Sequence, residues 1–395
     1  MLCLTATEGR ATARAAGAAA TARAAAPRYA RHVPERTLLY ALVQAHYPDF
    51  IARLEAEDRS LPAYVREEFE AFLRCGVLDH GFLRVVCEQC HAERLVAFSC
   101  KKRGFCPSCG ARRMAESARH LVEAVFGARP VRQWVLSFPY PLRFLVASKP
   151  VAIGPVLGIV HRVIAGWQAD QAGVERANAQ CGAVTLIQRF GSALNLNVHF
   201  HMLWLDGVYE EKVEQPQRKP RLHRSRAPTS AQLTHLADKI ANRVCRHLAR
   251  KGWLEGEGES VFLTDSAGGN DGMDALRMSS ITYRIATGAQ AGRKVVTQTL
   301  PDDAGPLEGD AGKVGGFSLH AGVAAEAHES QKLERLCRYI ARPAISERRL
   351  SISPQGRVRY QLKTPWRNGT THVEWDPVDF IAKLAALVLP HRAPT

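Results

Sequence analysis

The sequence lacks any uninterrupted run of about 18 apolar residues, which is the length that a helix needs to cross a lipid bilayer. The closest stretch, PVAIGPVLGIVHRVIAGW, is interrupted by His161 and Arg162. We therefore interpret it as a core helix. The beginning of the chain also lacks the long apolar segment of a secretory signal. Both absences argue against a membrane-spanning protein and a secreted one.

Acidic residues are scarce. The chain has 38 Asp and Glu against 53 Lys and Arg, a formal net charge of +15 over 395 residues. Such an excess favours a polyanionic partner such as nucleic acid, and a basic protein of the membrane surface is the alternative. The first 36 residues are rich in Ala, Thr and Arg and nearly free of acid. We predict a disordered basic tail there, or translated upstream sequence of a GC-rich genome, although an organelle transit peptide has a similar composition.

Cysteines are concentrated in one part of the chain. The pairs Cys87–Cys90 and Cys106–Cys109 form the pattern C-x2-C-x15-C-x2-C. This spacing is typical of zinc sites, because four thiolates complete a closed tetrahedral shell around structural Zn²⁺. Disulfides are the alternative, but paired C-x-x-C motifs in a cytosolic chain favour metal. Cys75 and Cys100 lie nearby, and the sequence leaves open whether either binds metal.

Basic residues surround the second cysteine pair. A small zinc unit that carries five cations is typical of a phosphate-contacting surface, and a solvated charged face is the alternative. The cations are Lys101, Lys102, Arg103, Arg112 and Arg113. Helical patterns over about residues 37–57 and 62–74 come before the unit. They are expected to pack on it, because a small zinc ribbon has little core of its own.

Two histidines stand one residue apart in the apolar stretch NLNVHFHMLWL. The stretch is short and rich in Val, Phe, Leu and Trp, which predicts a strand. Because side chains alternate along a strand, His199 and His201 point to one face and Phe200 to the other. Two neutral imidazoles on one face form half of a divalent-metal site. A chance pairing among 15 histidines is the alternative.

The order of elements predicts the fold class. A strand with a Pro-marked turn over residues 131–146 precedes a helix over 150–172, a strand over 182–191 and the strand with both histidines. This order suggests an α+β sandwich with a mostly antiparallel sheet. Further along, we predict a loop over 210–228, an amphipathic helix over 230–251, and short strands over 278–285 and 294–300 between Gly-rich acidic loops.

A later helix, predicted to begin near Ala324, carries a tyrosine among cations. Its buried face is formed by residues at i, i+3, i+4 and i+7 spacing, namely Leu333, Leu336, Cys337 and Ile340. A different stripe carries Lys332, Arg335, Tyr339 and Arg342. Opposite charge stabilises a phenolate, so Tyr339 is a candidate nucleophile toward a phosphodiester. A surface tyrosine that merely packs is the alternative.

The end of the chain predicts a three-stranded meander and a helix. Gly356 marks one turn, and Asn368-Gly369 is a strong hairpin signal. On the middle strand, Arg357, Arg359 and Lys363 share a face that fits a DNA backbone, or else a solvated edge. Asp376-Pro377 then begins the final helix.

Several motifs are similar to one known family. The segment LNVHFH looks like the HUH signature (His, bulky hydrophobic, His) of rolling-circle nucleases. Four further segments resemble the IS ninety-one family of insertion-sequence transposases and their common-region relatives, namely SCKKRGFCPSCGARR, GGFSLHAGVAAEAHE, LCRYIARP and YQLKTPWRNGTTHV. The similarity covers about residues 30–390, with the motifs in family order.

The resemblance implies a mechanism. His199 and His201, with a third ligand, would hold Mg²⁺ or Mn²⁺ at the scissile phosphate. Tyr339 would attack that phosphate, leaving a 5′-phosphotyrosine and a free 3′-OH. Gln188 and His320 are both candidates for the third ligand. The substrate would be single-stranded DNA or the hairpin ends of the chain's own element, bound in a basic groove. No membrane is expected to be a partner.

The resemblance also suggests a branch of the family. Its best-known members carry two tyrosines four residues apart, and here the position four before Tyr339 is Arg335. The chain therefore looks like a member of the single-tyrosine, common-region branch. Such a protein is expected in the bacterial cytoplasm, associated with the nucleoid. The rival functions are a non-catalytic zinc-dependent DNA-binding remnant and a plasmid replication initiator or relaxase.

These interpretations divide the chain into four regions. We predict the disordered tail over residues 1–36, a helical and zinc-binding domain over 37–128, an HUH tyrosine nuclease domain with loop insertions over 129–345, and a DNA-contacting meander with a helix over 346–395.

Overall fold

The computed structural model describes residues 33–211, 220–256, 262–269, 271–298 and 311–389. Of the predicted basic tail, residues 1–32 lie outside this part, and Pro34–Arg36 form a short 3-10 helix. The described helices are α1 (Leu38–Glu55), α2 (Ala63–Arg74), α3 (Pro107–His120), α4 (Tyr140–Ser148), α5 (Ile153–Ala172), α6 (Ser230–Arg250), α7 (Asp274–Ile281), α8 (Ser330–Ile340) and α9 (Pro377–Leu387).

The strands of the described residues are distributed over five sheets. They are β1 (Phe82–Val86), β2 (Glu93–Ala97), β3 (Val131–Ser137), β4 (Ala179–Gln180), β5 (Ala183–Phe190), β6 (Leu196–Leu205), β7 (Gly207–Glu210), β8 (Leu222–Arg224), β9 (Leu254–Glu255), β10 (Phe262–Leu263), β11 (Val296–Gln298), β12 (Gly312–Val314), β13 (Phe317–Ala325), β14 (Leu350–Ile352), β15 (Val358–Gln361) and β16 (His372–Trp375).

The largest sheet organises the molecule. Its five strands follow the order β12-β13-β3-β6-β5, and every neighbouring pair is antiparallel. The predicted α+β class with an antiparallel sheet is thus confirmed. Strand β6, with its two histidines, lies inside this sheet between β3 and β5. Strand β5 forms one edge.

The alternation along β6 directs its side chains into two different cores. Val198, Phe200 and Met202 are completely buried in the larger core, on the side of α4 and α5. On the other face, Leu203 packs in a smaller core with Leu336, which belongs to α8. The sheet therefore lies between two helical layers, and both histidines point toward the layer that contains α8.

The N-terminal helices and the cysteine-rich segment form one packed region. The rings of Tyr47 on α1 and Phe69 on α2 stack with their centroids 4.5 Å apart. Phe69 in turn lies 4.8 Å from Phe105, which precedes α3. Aromatic burial of this kind attaches the cysteine-rich segment to α1 and α2, as expected for a zinc unit with a small core.

The C-terminal residues form the predicted meander. Strands β14, β15 and β16 pair in sequence, and β11 adds a fourth strand beside β16. The side chain of Asp376 accepts a hydrogen bond from the backbone N–H of Val378 at 3.1 Å, which caps α9 at its predicted beginning. Helix α9 is almost wholly buried and packs against α1.

Several sequence predictions of secondary structure are wrong. Strands β8 and β12 lie within segments that were predicted as loops. Residues 140–146, expected as a strand, belong to α4, and the first half of 278–285 belongs to α7 rather than to a strand. The tyrosine helix begins at Ser330, because the residues around Ala324 form β13 and pair with β3. Tertiary pairing overrides the helix propensity of these small residues.

Other predictions fall partly outside the described residues. Residues 212–219 of the predicted loop and 301–310 of the second Gly-rich loop lie outside the described residues.

The segment Pro150–Ala172 is long and apolar enough to cross a membrane by length and composition alone. In the structure it contains the predicted core helix, with Trp167 packed edge-on against Trp134 of β3 at 5.4 Å.

Candidate tyrosine and metal sites

The two histidines of β6 lie side by side on the face of the sheet that α8 covers. Their Nε2 atoms are 3.1 Å apart, and both side chains are buried. Burial lowers the pKa of His199 to about 4, and burial together with the neighbouring His199 lowers that of His201 to about 2. Both imidazoles are therefore neutral near pH 7, which is the form that binds a metal ion.

A second contact orients each imidazole. His199 Nδ1 donates a hydrogen bond to the carbonyl oxygen of Asn197 at 2.8 Å, so its Nε2 carries the lone pair, which faces His201 Nε2. The Nε2 amide of Gln133 lies 3.0 Å from His201 Nδ1. In this orientation Gln133 donates to Nδ1, and the His201 proton sits on Nε2. A rotation of the Gln133 amide would reverse the tautomer and free both Nε2 atoms for a metal ion.

Tyr339 lies directly beside this pair. Its ring is perpendicular to the ring of His201, with the centroids 5.8 Å apart. Two cations lie against the tyrosine ring: the guanidinium carbon of Arg342 at 4.2 Å and the ammonium nitrogen of Lys363 at 4.1 Å from the ring centroid. The fold thus brings together both predicted histidines, the predicted tyrosine and two predicted cations.

Of the two candidates for a third metal ligand, Gln188 is the closer. It lies on β5 directly opposite His199, and its Nε2 donates to the carbonyl oxygen of Ile340 at 2.8 Å. Its Oε1 is buried and has no hydrogen-bond partner among the described residues. His320 lies on β13, two strands away from His201, where its Nε2 contacts Ser318 Oγ at 3.1 Å.

The donor set fits a divalent cation. With the Gln133 amide rotated, two neutral imidazoles and the unpartnered oxygen of Gln188 offer three lone pairs at one end of α8. An orphaned buried amide oxygen is costly unless something binds it. Mg²⁺ prefers oxygen ligands, so two nitrogen donors favour Mn²⁺ over Mg²⁺.

Four buried or half-buried cysteines form a second candidate metal site. The sulfur atoms of Cys75, Cys100, Cys106 and Cys109 all lie within 4.8 Å of one another. Cys100 and Cys75 are 3.4 and 3.6 Å from Cys109, and Cys106 is 3.7 Å from Cys75. Tetrahedral zinc with Zn–S bonds of about 2.3 Å requires sulfur separations of about 3.8 Å. The cluster therefore has the dimensions of a closed structural zinc site.

The other two predicted ligands are not in this cluster. Cys87 and Cys90 lie in the turn between β1 and β2, where Cys90 is exposed. Cys75 and Cys100, which the sequence left open, occupy the remaining two positions. A hydrogen bond from Gly76 N–H to the Phe98 carbonyl oxygen at 2.8 Å brings the two chain segments together.

The predicted DNA-contacting cations of the zinc unit lie on two surfaces. Lys101 and Arg112 are exposed. Lys102, Arg103 and Arg113 line a cavity between α3 and the edge strand β5. Their contact with DNA stays a prediction.

The remaining predicted cations differ in their surroundings. Arg335 is exposed on α8. Arg359 donates to the buried carboxylate of Glu374 at 2.7 Å, and Arg357 lies 3.9 Å from the same carboxylate. The basic face of β15 is therefore partly neutralised by β16. Lys363, predicted on that face, contacts Tyr339 instead.

Sequence reasoning missed one site residue completely. Gln133 lies in the strand VRQWVLS, next to the buried Trp134, and is itself buried. A glutamine at the centre of an apolar strand is the signal that was available, because a buried amide requires partners. No residue spacing shows that its partner is His201.

Two family models match the chain. One is described as "Putative transposase" and matches residues 182–395, which is more than half of the chain. The other is described as "Transposase zinc-binding domain" and matches residues 42–138. The first range contains the histidine pair and Tyr339, and the second contains the cysteine cluster. No curated protein and no solved structure gives a significant match.

Proposed function

Because the chain belongs to the transposases of the IS ninety-one type, we propose that it cuts and rejoins single-stranded DNA through a 5′-phosphotyrosine in rolling-circle-type transposition. One observation carries this proposal: Tyr339 lies with its ring 5.8 Å from His201, beside a pair of neutral imidazoles. A nucleophile next to a metal-binding pair is the arrangement that strand cleavage requires.

The chemical step is a transesterification. The Oη atom of Tyr339 attacks the phosphorus, the new O–P bond forms, and the P–O3′ bond breaks. The phenol loses its proton and the departing 3′ oxygen gains one, so a free 3′-OH remains. A second 3′-OH can later displace the tyrosine by the reverse exchange. The total number of phosphodiester bonds is conserved, and no nucleotide hydrolysis is needed.

The surroundings of Tyr339 suit an anionic substrate. Arg342 and Lys363 lie on the tyrosine ring, 4.2 and 4.1 Å from its centroid. The guanidinium of Arg342 also donates to the backbone carbonyl oxygen of Tyr339 at 2.7 Å, which holds it at the end of α8. Two fixed cations at this position attract the phosphodiester and stabilise the charge that develops on it.

His199, His201 and Gln188 would hold a divalent cation, preferably Mn²⁺. When bound, such an ion supplies a Lewis acid and a template for the phosphate oxygens. The Asn197 carbonyl fixes the orientation of His199, and a rotated Gln133 amide would give His201 the same tautomer, so that both Nε2 atoms would be free for the ion. The four-cysteine cluster would hold structural Zn²⁺, as the zinc-binding family match supports.

A covalent-adduct assay tests the proposal. Labelled single-stranded oligonucleotides from the ends of the element are incubated with the protein and Mn²⁺ and run on a denaturing gel. A labelled protein band is expected with the wild type, and Tyr339→Phe should abolish it while single-stranded DNA binding stays within about twofold, because only one hydroxyl is lost.

The chain offers a matched control. Tyr140 is 51% exposed and also has an arginine, Arg143, 4.8 Å from its ring centroid, so Tyr140→Phe should leave the adduct unchanged. His199→Ala and His201→Ala should lower the adduct and its dependence on Mn²⁺ together. An adduct that persists in Tyr339→Phe would refute the assignment of the nucleophile. DNA binding without an adduct under any divalent metal would favour a non-catalytic remnant.

A further inference from the structure

Arg143 lies in the first turn of α4, shortly after the end of β3. Its Nε atom donates a hydrogen bond to the carbonyl oxygen of Phe138 at 2.6 Å. Phe138 follows Ser137, and Ser137 lies directly opposite His199 in the pairing of β3 with β6. The side chain of Arg143 is therefore fastened to the end of the sheet at which His199 lies.

The charge of Arg143 acts on His199. Burial is the largest cause that lowers the pKa of His199 to about 4, and the charges of Arg342 and Arg143 act in the same direction. The pKa of His201 is lowered by burial, by His199 and by Arg342. Arg143 has no such effect on His201, so it lies nearer to His199. Because the ring of Tyr339 contacts the ring of His201, the tyrosine and Arg143 lie at different ends of the histidine pair.

The guanidinium of Arg143 has donors to spare. Its Nη1 and Nη2 atoms have no hydrogen-bond partner among the described residues, and neither is a buried polar atom, so both are accessible. No carboxylate among the described residues acts on its charge. The guanidinium carbon lies 4.8 Å from the ring centroid of Tyr140, a contact that a phenylalanine ring would also make.

An arginine with a structural role in the same sheet looks different. Arg132 of β3 uses Nε and Nη2 to bind both oxygens of the buried Asp206 carboxylate, each at 2.8 Å, and its Nη1 donates to the carbonyl oxygen of Ala321. All three nitrogens of Arg132 are thus occupied by the protein. Arg143 uses only Nε, which fixes the direction of the side chain and leaves the two Nη atoms for an anion. A phosphate oxygen is a suitable acceptor for such a fork.

We propose that Arg143 binds a non-bridging oxygen of the phosphodiester that Tyr339 attacks, from the His199 end of the site. This inference rests on the proposed function. It adds a cation from α4 to the two that lie on the tyrosine ring, Arg342 and Lys363. The Phe138 carbonyl holds Arg143 in place before the substrate arrives, so the charge that develops on the phosphate meets a donor that is already oriented.

The first test measures the rate at which the covalent adduct forms at saturating single-stranded DNA and Mn²⁺. Arg143→Met should slow it by about 100-fold, because a fixed donor to the reacting phosphate is lost. Arg143→Lys keeps the charge but not the fork and should slow it by about tenfold. The control Arg243→Met removes an exposed cation from α6 and should leave the rate unchanged. A wild-type rate in Arg143→Met would overturn the inference and leave the proposed function intact.

A neutral phosphate analogue locates the contact. The cleaved position is mapped from the free 3′-OH product of the wild type. Oligonucleotides with a methylphosphonate at that position, or a few nucleotides away, are then compared with the unmodified strand. Binding is measured by fluorescence anisotropy in EDTA, with Tyr339→Phe as the background, so that cleavage cannot contribute.

The effect of Arg143→Met should depend on where the strand is neutral. We expect it to weaken binding of the unmodified strand and of the distantly modified strand by about tenfold, because a charge-assisted contact is lost. With the methylphosphonate at the cleaved position, the loss should be less than about twofold, since the partner of Arg143 is already absent. A structural role would weaken binding of all three strands equally, and that result would contradict the inference.

A second variant covers the case in which methionine prevents folding. Thermal unfolding identifies that case, and the same comparison is then made with Arg143→Lys. This variant should bind the unmodified strand several-fold more weakly and the strand that is neutral at the cleaved position as tightly as its parent. Equal losses on both strands would again contradict the inference. Absence of any adduct with the wild type would reject the proposed function and the role of Arg143 together.

Discussion

Replacing Cys100 by serine removes one of the four sulfur atoms that lie within 4.8 Å of one another. Structural zinc contributes on the order of 10–16 kcal/mol of binding free energy in small zinc units, so one thiolate of four accounts for roughly 3–4 kcal/mol. This corresponds to a loss of about two to three orders of magnitude in zinc affinity. Cys75→Ser should have the same effect, because Cys75 is a member of the same cluster.

The matched controls are the two cysteines of the β1–β2 turn. Cys87→Ser and Cys90→Ser remove thiols from the same C-x-x-C pattern, but neither belongs to the cluster. They should retain the wild-type zinc content. The assay is zinc per chain by mass spectrometry after dialysis against a mild chelator, followed by thermal unfolding of the same samples.

The outcome decides between two ligand sets. Loss of zinc in Cys75→Ser and Cys100→Ser, with retention in Cys87→Ser and Cys90→Ser, supports the set that the fold brings together. Loss in the Cys87 and Cys90 variants, with retention in the other two, would refute this reasoning and restore the set expected from sequence spacing.

Two further predictions concern packing and pH. Burial lowers the pKa of Lys383 to about 7, so the unfolded chain holds a proton that the folded one has lost between about pH 7 and about pH 10.5. The free energy of unfolding therefore rises with pH in that window. Urea denaturation measures this free energy at about pH 6.5 and about pH 9.5. The increase between the two pH values should be roughly 3 kcal/mol larger in the wild type than in Lys383→Met. An equal rise would show that Lys383 is not the cause. In Gly110→Ala the new Cβ would lie 2.6 Å from Pro343 Cβ, which should cost about 1–3 kcal/mol. Gly154→Ala, with nothing within 4 Å of the new Cβ, should be neutral or gain up to about 1 kcal/mol by thermal unfolding. Equal melting temperatures of the Gly110→Ala and Gly154→Ala variants would contradict the expected clash.

The sequence was most informative where a local pattern determines a local structure. Alternation along NLNVHFHMLWL correctly put His199 and His201 on one face, and helical spacing correctly buried Leu333 and Ile340. The meander and its final helix also follow from turn and capping residues. These features depend on neighbours within a few residues, which a single sequence contains.

Features that depend on distant partners were harder to predict. Periodicity cannot separate a short buried helix from a buried strand, so α4 was expected to be a strand. Cys75 and Cys100 meet Cys106 and Cys109 only because the chain folds back between Gly76 and Phe98. Two complete C-x-x-C pairs suggested a simpler answer, since spacing measures distance along the chain and not in space.

The proximity of Lys363 to Tyr339 has the same origin. The sequence assigned Lys363 to the basic face of a strand, by alternation with Arg357 and Arg359. Because β15 ends at Gln361, that alternation no longer applies, and Lys363 reaches the tyrosine ring instead. The position of the segment after β15 beside α8 decides this contact, and no motif records it.

The helix that carries Tyr339 is supported from both directions along the chain. Gly110 of α3 lies against Pro343 just after α8, and Lys363 covers the tyrosine ring. A fragment that holds only the central sheet and α8 would keep the histidines and the tyrosine but lose both supports. We therefore expect the zinc unit and the C-terminal sheet not to be exchangeable as independent modules: a functional hybrid should need both surfaces that contact α8 from one parent, or matched changes in both.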